Sequence, residues 1–371
     1  MNVSNDRSGL ADRAPQPVGS NDIAGIAGFD RIVVVGLGLI GGSLAKALAP
    51  LVEVVGVDPD PVTCAAATLD GIATASLEAA ITNGSLVVVA VPVQSIDAVF
   101  GAISATSTAA LITDVGSVKG SVITSARAAG LRFVGGHPMA GSERSGYSAS
   151  IDSLFSGARW ALTIEADTVL DDWMAVAQVA MAAGAGVVPI TAADHDDAVA
   201  AVSHLPHVLA AALAGAVGSD PQLAALRLGL AAGSFRDGTR VARAPGQFWT
   251  SVLTHNAGAV EVMVDAVADQ LVDVAAALRA GNTPTIEAFF TRGSDVRIAF
   301  DDRTSIATTL SGVNNDELRA GLLQLGAKGG FVTLFESVDG RTVVHARVPM
   351  ISNPATTGTT TSTGIGTDDS K

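Results

Sequence analysis

The chain is short of several things that mark common functional classes. Of 371 residues only Cys64 is a cysteine, which excludes disulfides, cysteine-based zinc sites and an oxidised secreted scaffold. Basic residues are in deficit, 22 Lys and Arg against 36 Asp and Glu, for a formal net charge of −14. A field of that sign suits neither nucleic acid nor an anionic membrane surface, so ligands must be held by local chemistry. A continuous apolar core of the signal-peptide kind is missing from residues 1–30, which are broken by Asp6, Arg7, Asp12, Arg13, Pro15 and Pro17; cytoplasmic residence is the default expectation. Two stretches lack charge altogether, 173–193 and 198–219. The first carries Gln178 and Pro189 and the second Ser203, His204, Pro206 and His207, so both are expected as buried elements and not as membrane spans.

At about 150 residues per domain the length predicts two or three domains. Residues 1–29 are polar and aperiodic, a leader without structure. From 30 to 193, Val-rich runs alternate with Ala-rich helical segments: Ile32–Val35, Glu53–Val57, Leu86–Val91, Leu111–Val115, Arg132–Val134, Trp160–Ile164 and Val187–Ile190. Runs apolar on both faces and separated by helices predict one doubly wound parallel sheet, an α/β domain. Residues 194–282 contain no such runs and read as all-helical. Val260, Val264, Val267, Leu271 and Val274 form one stripe on a long helix ending near Gly281, wider than a small domain can cover, which predicts a homodimer. In 283–350 a strand at Val296–Phe300, a helix at Asp316–Leu325 and a hairpin across Asp339-Gly340 suggest a small α+β appendage. The Thr, Gly and Ser tail 351–371 is expected to be disordered.

Directly after the first strand comes Gly36-Leu-Gly38-Leu39-Ile40-Gly41, opening a helix. In that context G-x-G-x-x-G is a dinucleotide-binding, Rossmann-type fingerprint. Gly36 permits the tight turn, Gly38 lets the backbone approach a pyrophosphate, and Gly41 lets helix and strand pack closely. The second strand ends at Asp58, 22 residues beyond the first glycine, where a carboxylate accepts from ribose hydroxyls and repels a 2′-phosphate. Asp60 adds to that repulsion, so NAD is favoured over NADP. Leu39, Ile40 and the strand-end Val91 complete the expected cofactor contacts. The alternative is a purely structural glycine cluster, or an S-adenosylmethionine fold.

Two further motifs follow later strands, Asp114-Val-Gly-Ser117-Val-Lys119-Gly and Gly135-Gly-His137-Pro-Met-Ala-Gly-Ser-Glu143, where open α/β sheets bind ligands. Ser203-His204-Leu-Pro-His207 and Phe235-Arg-Asp237-Gly-Thr-Arg240 come next, then Trp249. This ordered set, over about residues 31–280, resembles the prephenate and arogenate dehydrogenase family of tyrosine biosynthesis. The resemblance implies oxidative decarboxylation with hydride transfer to a nicotinamide. It implies His137 as the base that takes the hydroxyl proton, with Ser117 holding its tautomer. Arg240 would grip a carboxylate, Asp237 and Glu143 would orient that arginine, and His204, His207 and Trp249 would line the pocket. Lys119 would either approach the cofactor phosphates or begin a helix. Some members carry a regulatory ACT domain, so tyrosine feedback through 283–350 is a further expectation.

Competing readings are narrower. A metal held by His195, Asp196, Asp197, His204 and His207 is open on ligand chemistry, but hydride transfer needs none. Hydroxyacid dehydrogenases of similar architecture would need a catalytic Lys, and 195–235 contain none. A silent NAD-binding regulator would bind cofactor without turnover. Prephenate and arogenate present the same ring to His137 and differ in a pyruvyl against an amino-acid side chain, which the sequence does not discriminate; prephenate is the preferred expectation.

Overall fold

In the computed structural model the described residues are 28–350, except 143, 244, 245 and 313. The expected leader, but for its last residues, and the expected tail lie outside them. The first half runs β1 (Arg31–Val35), α1 (Leu39–Leu48), β2 (Val54–Val57), α2 (Pro61–Leu69), β3 (Ala73–Thr74), α3 (Leu77–Ala80), β4 (Ser85–Val89), α4 (Ile96–Ala105), β5 (Leu111–Asp114), α5 (Gly120–Ala128) and β6 (Phe133–Val134). Then come β7 (Gly136–Pro138), β8 (Arg159–Thr163), α6 (Leu170–Ala182), β9 (Gly186–Ile190) and α7 (Ala192–Val199), a π-helical turn Ala200–His204, and α8 (Leu205–Gly218). The remainder is α9 (Pro221–Gly229), α10 (Gly233–Thr239), α11 (Gly246–His255), α12 (Ala257–Ala280), α13 (Thr283–Asp301), β10 (Thr304–Ser311), α14 (Asn315–Ala327), β11 (Phe331–Val338) and β12 (Arg341–Met350).

After their first residues, Arg31 and Ser85, Val-rich β1 and β4 are apolar and buried on both faces, as a central parallel pair requires. The first sheet has the order β3-β2-β1-β4-β5-β6 and is wholly parallel. Strand order reverses between β1 and β4, which opens a crevice at their carboxyl ends, the place such sheets bind ligands. The Rossmann expectation holds.

The expectation of a single sheet does not. β8 and β9 belong to a second, mixed sheet, β10-β12-β11-β9-β8-β7. Its β8 and β9 run parallel, while β7 and β11 pair with them antiparallel. The chain leaves the first sheet at Gly136, where a Cβ would stand 2.6 Å from the Asp114 carbonyl oxygen. Only glycine fits that crossing. β7 then pairs His137 with Ala161.

Residues 28–267 and 307–348 form one compact unit and 268–306 a second. The α+β make-up expected of the C-terminal segment is present, but not as a unit of its own. α14 and the β11–β12 hairpin are built into the first unit, and Leu318, Leu322, Val332 and Val344 share a core with Ile32, Trp160 and Trp173. Asp339 and Gly340, both at positive φ, make the hairpin turn. Val296–Phe300 is not a strand but lies inside α13. In the second unit Gly281, at φ +65°, ends α12 and the Asn282 side chain caps α13. Leu271, Leu278, Phe290, Val296 and Phe300 are exposed there.

Stretch 173–193 is buried as expected, through Trp173, Val176, Ala177 and Val187. Stretch 198–219 departs from expectation. The helical run Ala192–Gly218 is long and apolar enough to cross a membrane by length and composition alone, yet little of it is buried. Along α8 only Leu205 and Ala210 are covered, with Leu209 and Leu213 exposed.

Candidate active site

The loop after β1 has the shape its glycines imply. Gly36 sits at φ +94°, and a Cβ on it would lie 2.6 Å from the Ala90 carbonyl oxygen and 3.1 Å from the Val91 side chain. A Cβ on Gly41 would lie 1.9 Å from the Gly36 carbonyl oxygen. Around Gly38, by contrast, the space is open. Gly38 caps α1 without a side-chain bond, and the first turn, with Leu39 and Ile40 half-buried, has no acidic residue. The helix therefore presents its early N–H donors to an anion unopposed. Asp58 accepts hydrogen bonds from the N–H groups of Leu37 (2.8 Å) and Asp60 (2.9 Å), which fixes its carboxylate beside the loop. Donors for a pyrophosphate and an acceptor for a ribose thus stand in register, a fit to a dinucleotide.

Lys119 does not face that loop, and a role for it on the cofactor phosphates is corrected. Its ammonium is fully buried, paired with Asp114, and donates to the Gly136 carbonyl oxygen at 2.6 Å. Asp114 also accepts from the N–H groups of Gly116 (2.8 Å) and Gly136 (3.0 Å). This ion pair clamps the backbone on both sides of Gly136, immediately before His137.

His137 bonds through Nδ1 to Nε2 of His195 at 2.9 Å, and His195 bonds through Nδ1 to Oδ1 of Asp196 at 2.8 Å. The partner that orients the imidazole is therefore His195; Ser117, half-buried on the loop after β5, does not hold that nitrogen. Burial, and then the neighbouring His195, Lys119 and His204, push the His137 imidazole well below the usual histidine range. It is neutral at pH 7 and can accept a proton. Burial works against the Asp196 carboxylate, but His195 and the N–H groups of Gly120 and Lys119, each at 2.8 Å, hold it below the usual carboxylate range.

The helical segment supplies an aromatic wall. Pro206, which has no N–H to give, follows the π-helical turn that places His204 and His207. The His207 ring lies 3.8 Å from that of Trp249, centroid to centroid, and its Nδ1 donates to the Ser203 carbonyl oxygen at 2.9 Å. His204 is buried, its Nδ1 accepting from the Asn256 amide at 3.2 Å, and burial pushes it down to about 4. Asn256 also donates to the Asp196 carbonyl oxygen at 2.7 Å. Nε2 of His204 and Nε1 of Trp249 are buried with no hydrogen-bond partner among the described residues, a cost tolerated where a ligand supplies the missing bond. α11 is tied to the crevice by Ser251, which donates to Gln94 in the turn after β4 at 3.1 Å.

Arg240 opens a short turn after α10 and is exposed, as is Asp237 on α10; Glu143 lies outside the described residues. Among the described residues no three His, Cys, Asp or Glu side chains converge to hold a metal ion. Asp197 is exposed, and His195 and Asp196 bond to each other. Sequence reasoning missed the roles of His195, Asp196 and Asn256. The one signal for His195 and Asp196 was position, on the segment just after the last strand of the α/β region; Asn256, between α11 and α12, had none.

Two family models match the chain: "prephenate dehydrogenase, nucleotide-binding domain" over residues 41–188 and "prephenate dehydrogenase, dimerization domain" over 191–292. A prephenate dehydrogenase of Lactococcus lactis subsp. cremoris is 31% identical over 282 residues, covering 73% of this chain and 77% of that protein. Solved structures agree. Prephenate dehydrogenase from Aquifex aeolicus, in complex with hydroxyphenyl propionate and NAD+, is 27% identical with a TM-score of 0.68, covering 73% of this chain and 98% of that one. Synechocystis arogenate dehydrogenase is 28% identical with a TM-score of 0.65, covering 73% and 99%. With that sequence likeness, and with the dinucleotide loop and histidine cluster it brings together, the chain belongs to the prephenate dehydrogenase family of oxidoreductases.

Proposed function

We propose that the protein is an NAD-dependent prephenate dehydrogenase, converting prephenate to 4-hydroxyphenylpyruvate and carbon dioxide. The observation that carries this reading is His137: a neutral, half-buried imidazole beyond the strand ends of a dinucleotide-binding sheet, bonded through Nδ1 to His195. Removing hydride from an alcohol carbon leaves positive charge there unless the hydroxyl proton departs, and the second ring nitrogen of His137 is the acceptor for it. A nicotinamide dinucleotide held at its pyrophosphate by the Gly36–Gly41 loop and at its ribose by Asp58 would supply the hydride acceptor. Ser117 faces the same hydroxyl, Arg240 grips a carboxylate with its planar fork, and His204, His207 and Trp249 wall the ring. Departure of the ring carboxylate as carbon dioxide makes the product aromatic.

NAD over NADP is supported by Asp58 and Asp60, whose carboxylates oppose a 2′-phosphate. Prephenate is supported by the Lactococcus relative, which bears that substrate in its name, and a homodimer by the matched dimerization domain and the exposed apolar faces. Steady-state kinetics with prephenate and arogenate, each with NAD and NADP, tests the assignment. The highest kcat/KM is expected for prephenate with NAD, and a large advantage for arogenate or NADP would overturn that part.

A further inference from the structure

Asp196 accepts at Oδ2 from the Gly120 N–H and at Oδ1 from both the Lys119 N–H and His195 Nδ1. It is held as a carboxylate and can only accept, so His195 carries its hydrogen on Nδ1. Burial keeps His195 itself below the usual histidine range, against the pull of Asp196. It is neutral, its Nε2 is a bare lone pair, and His137 must donate to it from Nδ1. His137 is thereby left with its lone pair on Nε2, the nitrogen not spent within the protein.

We propose that Asp196 and His195 are positioning residues for the reaction, a one-way hydrogen-bond chain that fixes the proton-accepting tautomer of His137 and steadies the imidazolium it becomes. The inference rests on His137 being the base. In the reaction the O–H bond of the substrate breaks, its proton bonds to His137 Nε2, and the electron pair left on oxygen forms the carbonyl as hydride leaves for the nicotinamide. The charge gained by His137 lies two links from the Asp196 carboxylate. The other charged or titratable groups facing His137 and His195 are His204, Lys119 and Asp114. Lys119 is already offset by Asp114, which leaves Asp196 as the anion able to answer the new charge. The chain ties α7 to the N-terminus of α5, where Asp196 caps two backbone N–H groups that α5 does not cap for itself.

The test is kcat and KM against pH, with prephenate and NAD, for Asp196→Asn, His195→Gln and, alongside them, His137→Asn. Asp196→Asn also disturbs the α5 cap, whereas His195→Gln leaves it intact, so the second variant keeps the test informative if the first folds poorly. Both are expected to lower kcat by between about 10-fold, the usual effect of losing an outer-shell partner, and about 10⁴-fold, the effect of a wrong tautomer. NAD affinity and KM should be unchanged. The acid limb of kcat/KM should move to lower pH in Asp196→Asn, because a distant negative charge no longer favours the imidazolium. A purely structural role would not move that limb. Wild-type kcat and an unmoved limb in both variants, with His137→Asn inactive, would overturn the chain alone; wild-type kcat in His137→Asn would overturn the base on which it rests.

Discussion

His137, His195 and His204 are three imidazoles whose charged forms the fold disfavours, chiefly by burial. Unfolded, each titrates near pH 6.5. Between that value and its lower native one, the unfolded chain binds the extra proton, so stability is complete above about pH 6.5 and falls as the pH drops. For His204 the loss continues to about 4. Tm should decline from about pH 7 to about pH 4, less steeply in His204→Gln; a Tm indifferent to pH would contradict neutral burial. Burial lowers the Lys119 ammonium as well, but there a buried partner, Asp114, pulls the other way. Replacing Lys119 by Met leaves Asp114 buried without its cation, at a cost of about 3–5 kcal/mol in urea unfolding. A loss below about 1 kcal/mol, the range of an exposed pair, would show that the clamp before His137 is not held by this pair.

Among the elements, the β1–α1 turn was the most legible in the sequence, because its requirements are local: a strand, three glycines at fixed spacing and a helix. The structure adds the reason for the third glycine. With a Cβ on residue 41 directed at the Gly36 carbonyl at 1.9 Å, Gly41→Ala must push α1 away from the loop. NAD binding measured by calorimetry should weaken roughly 10- to 100-fold, the equivalent of the roughly 1–3 kcal/mol that overpacking costs. Unchanged affinity would mean that the loop does not seat the cofactor. The second sheet was not legible. β8 and β9 have the apolar pattern of any buried parallel strand, and nothing local says which sheet they join. β11, which pairs with β9, and β12 beyond it lie more than 140 residues later, across the helical segment. Likewise His137 was visible as part of a motif, but His195 and Asp196 come 58 residues and more after it. Only the fold brings them together. Val296–Phe300 has strand-like residues yet continues α13, a case of context overriding propensity.

For the whole molecule, a charge of −14 stands beside a proposed cofactor and substrate that are both anionic. The two are compatible because attraction is local: backbone N–H groups at α1 need no side-chain charge, and the global field serves solubility more than steering. Apolar surface is the other molecular property. Leu209 and Leu213 on α8, and Leu271, Leu278, Phe290 and Phe300 on α12 and α13, are exposed in a single chain, more than a soluble monomer leaves uncovered. Light scattering after size exclusion should show a dimer at micromolar concentration, and a monomer would leave those faces unexplained. The most direct test of the chemistry is a single turnover. With enzyme in excess over prephenate and NAD saturating, the wild-type protein should form one NADH and one carbon dioxide per prephenate. His137→Asn should bind NAD equally well and react slower by on the order of 10²–10⁴-fold. The same rate in both proteins would contradict His137 as the base.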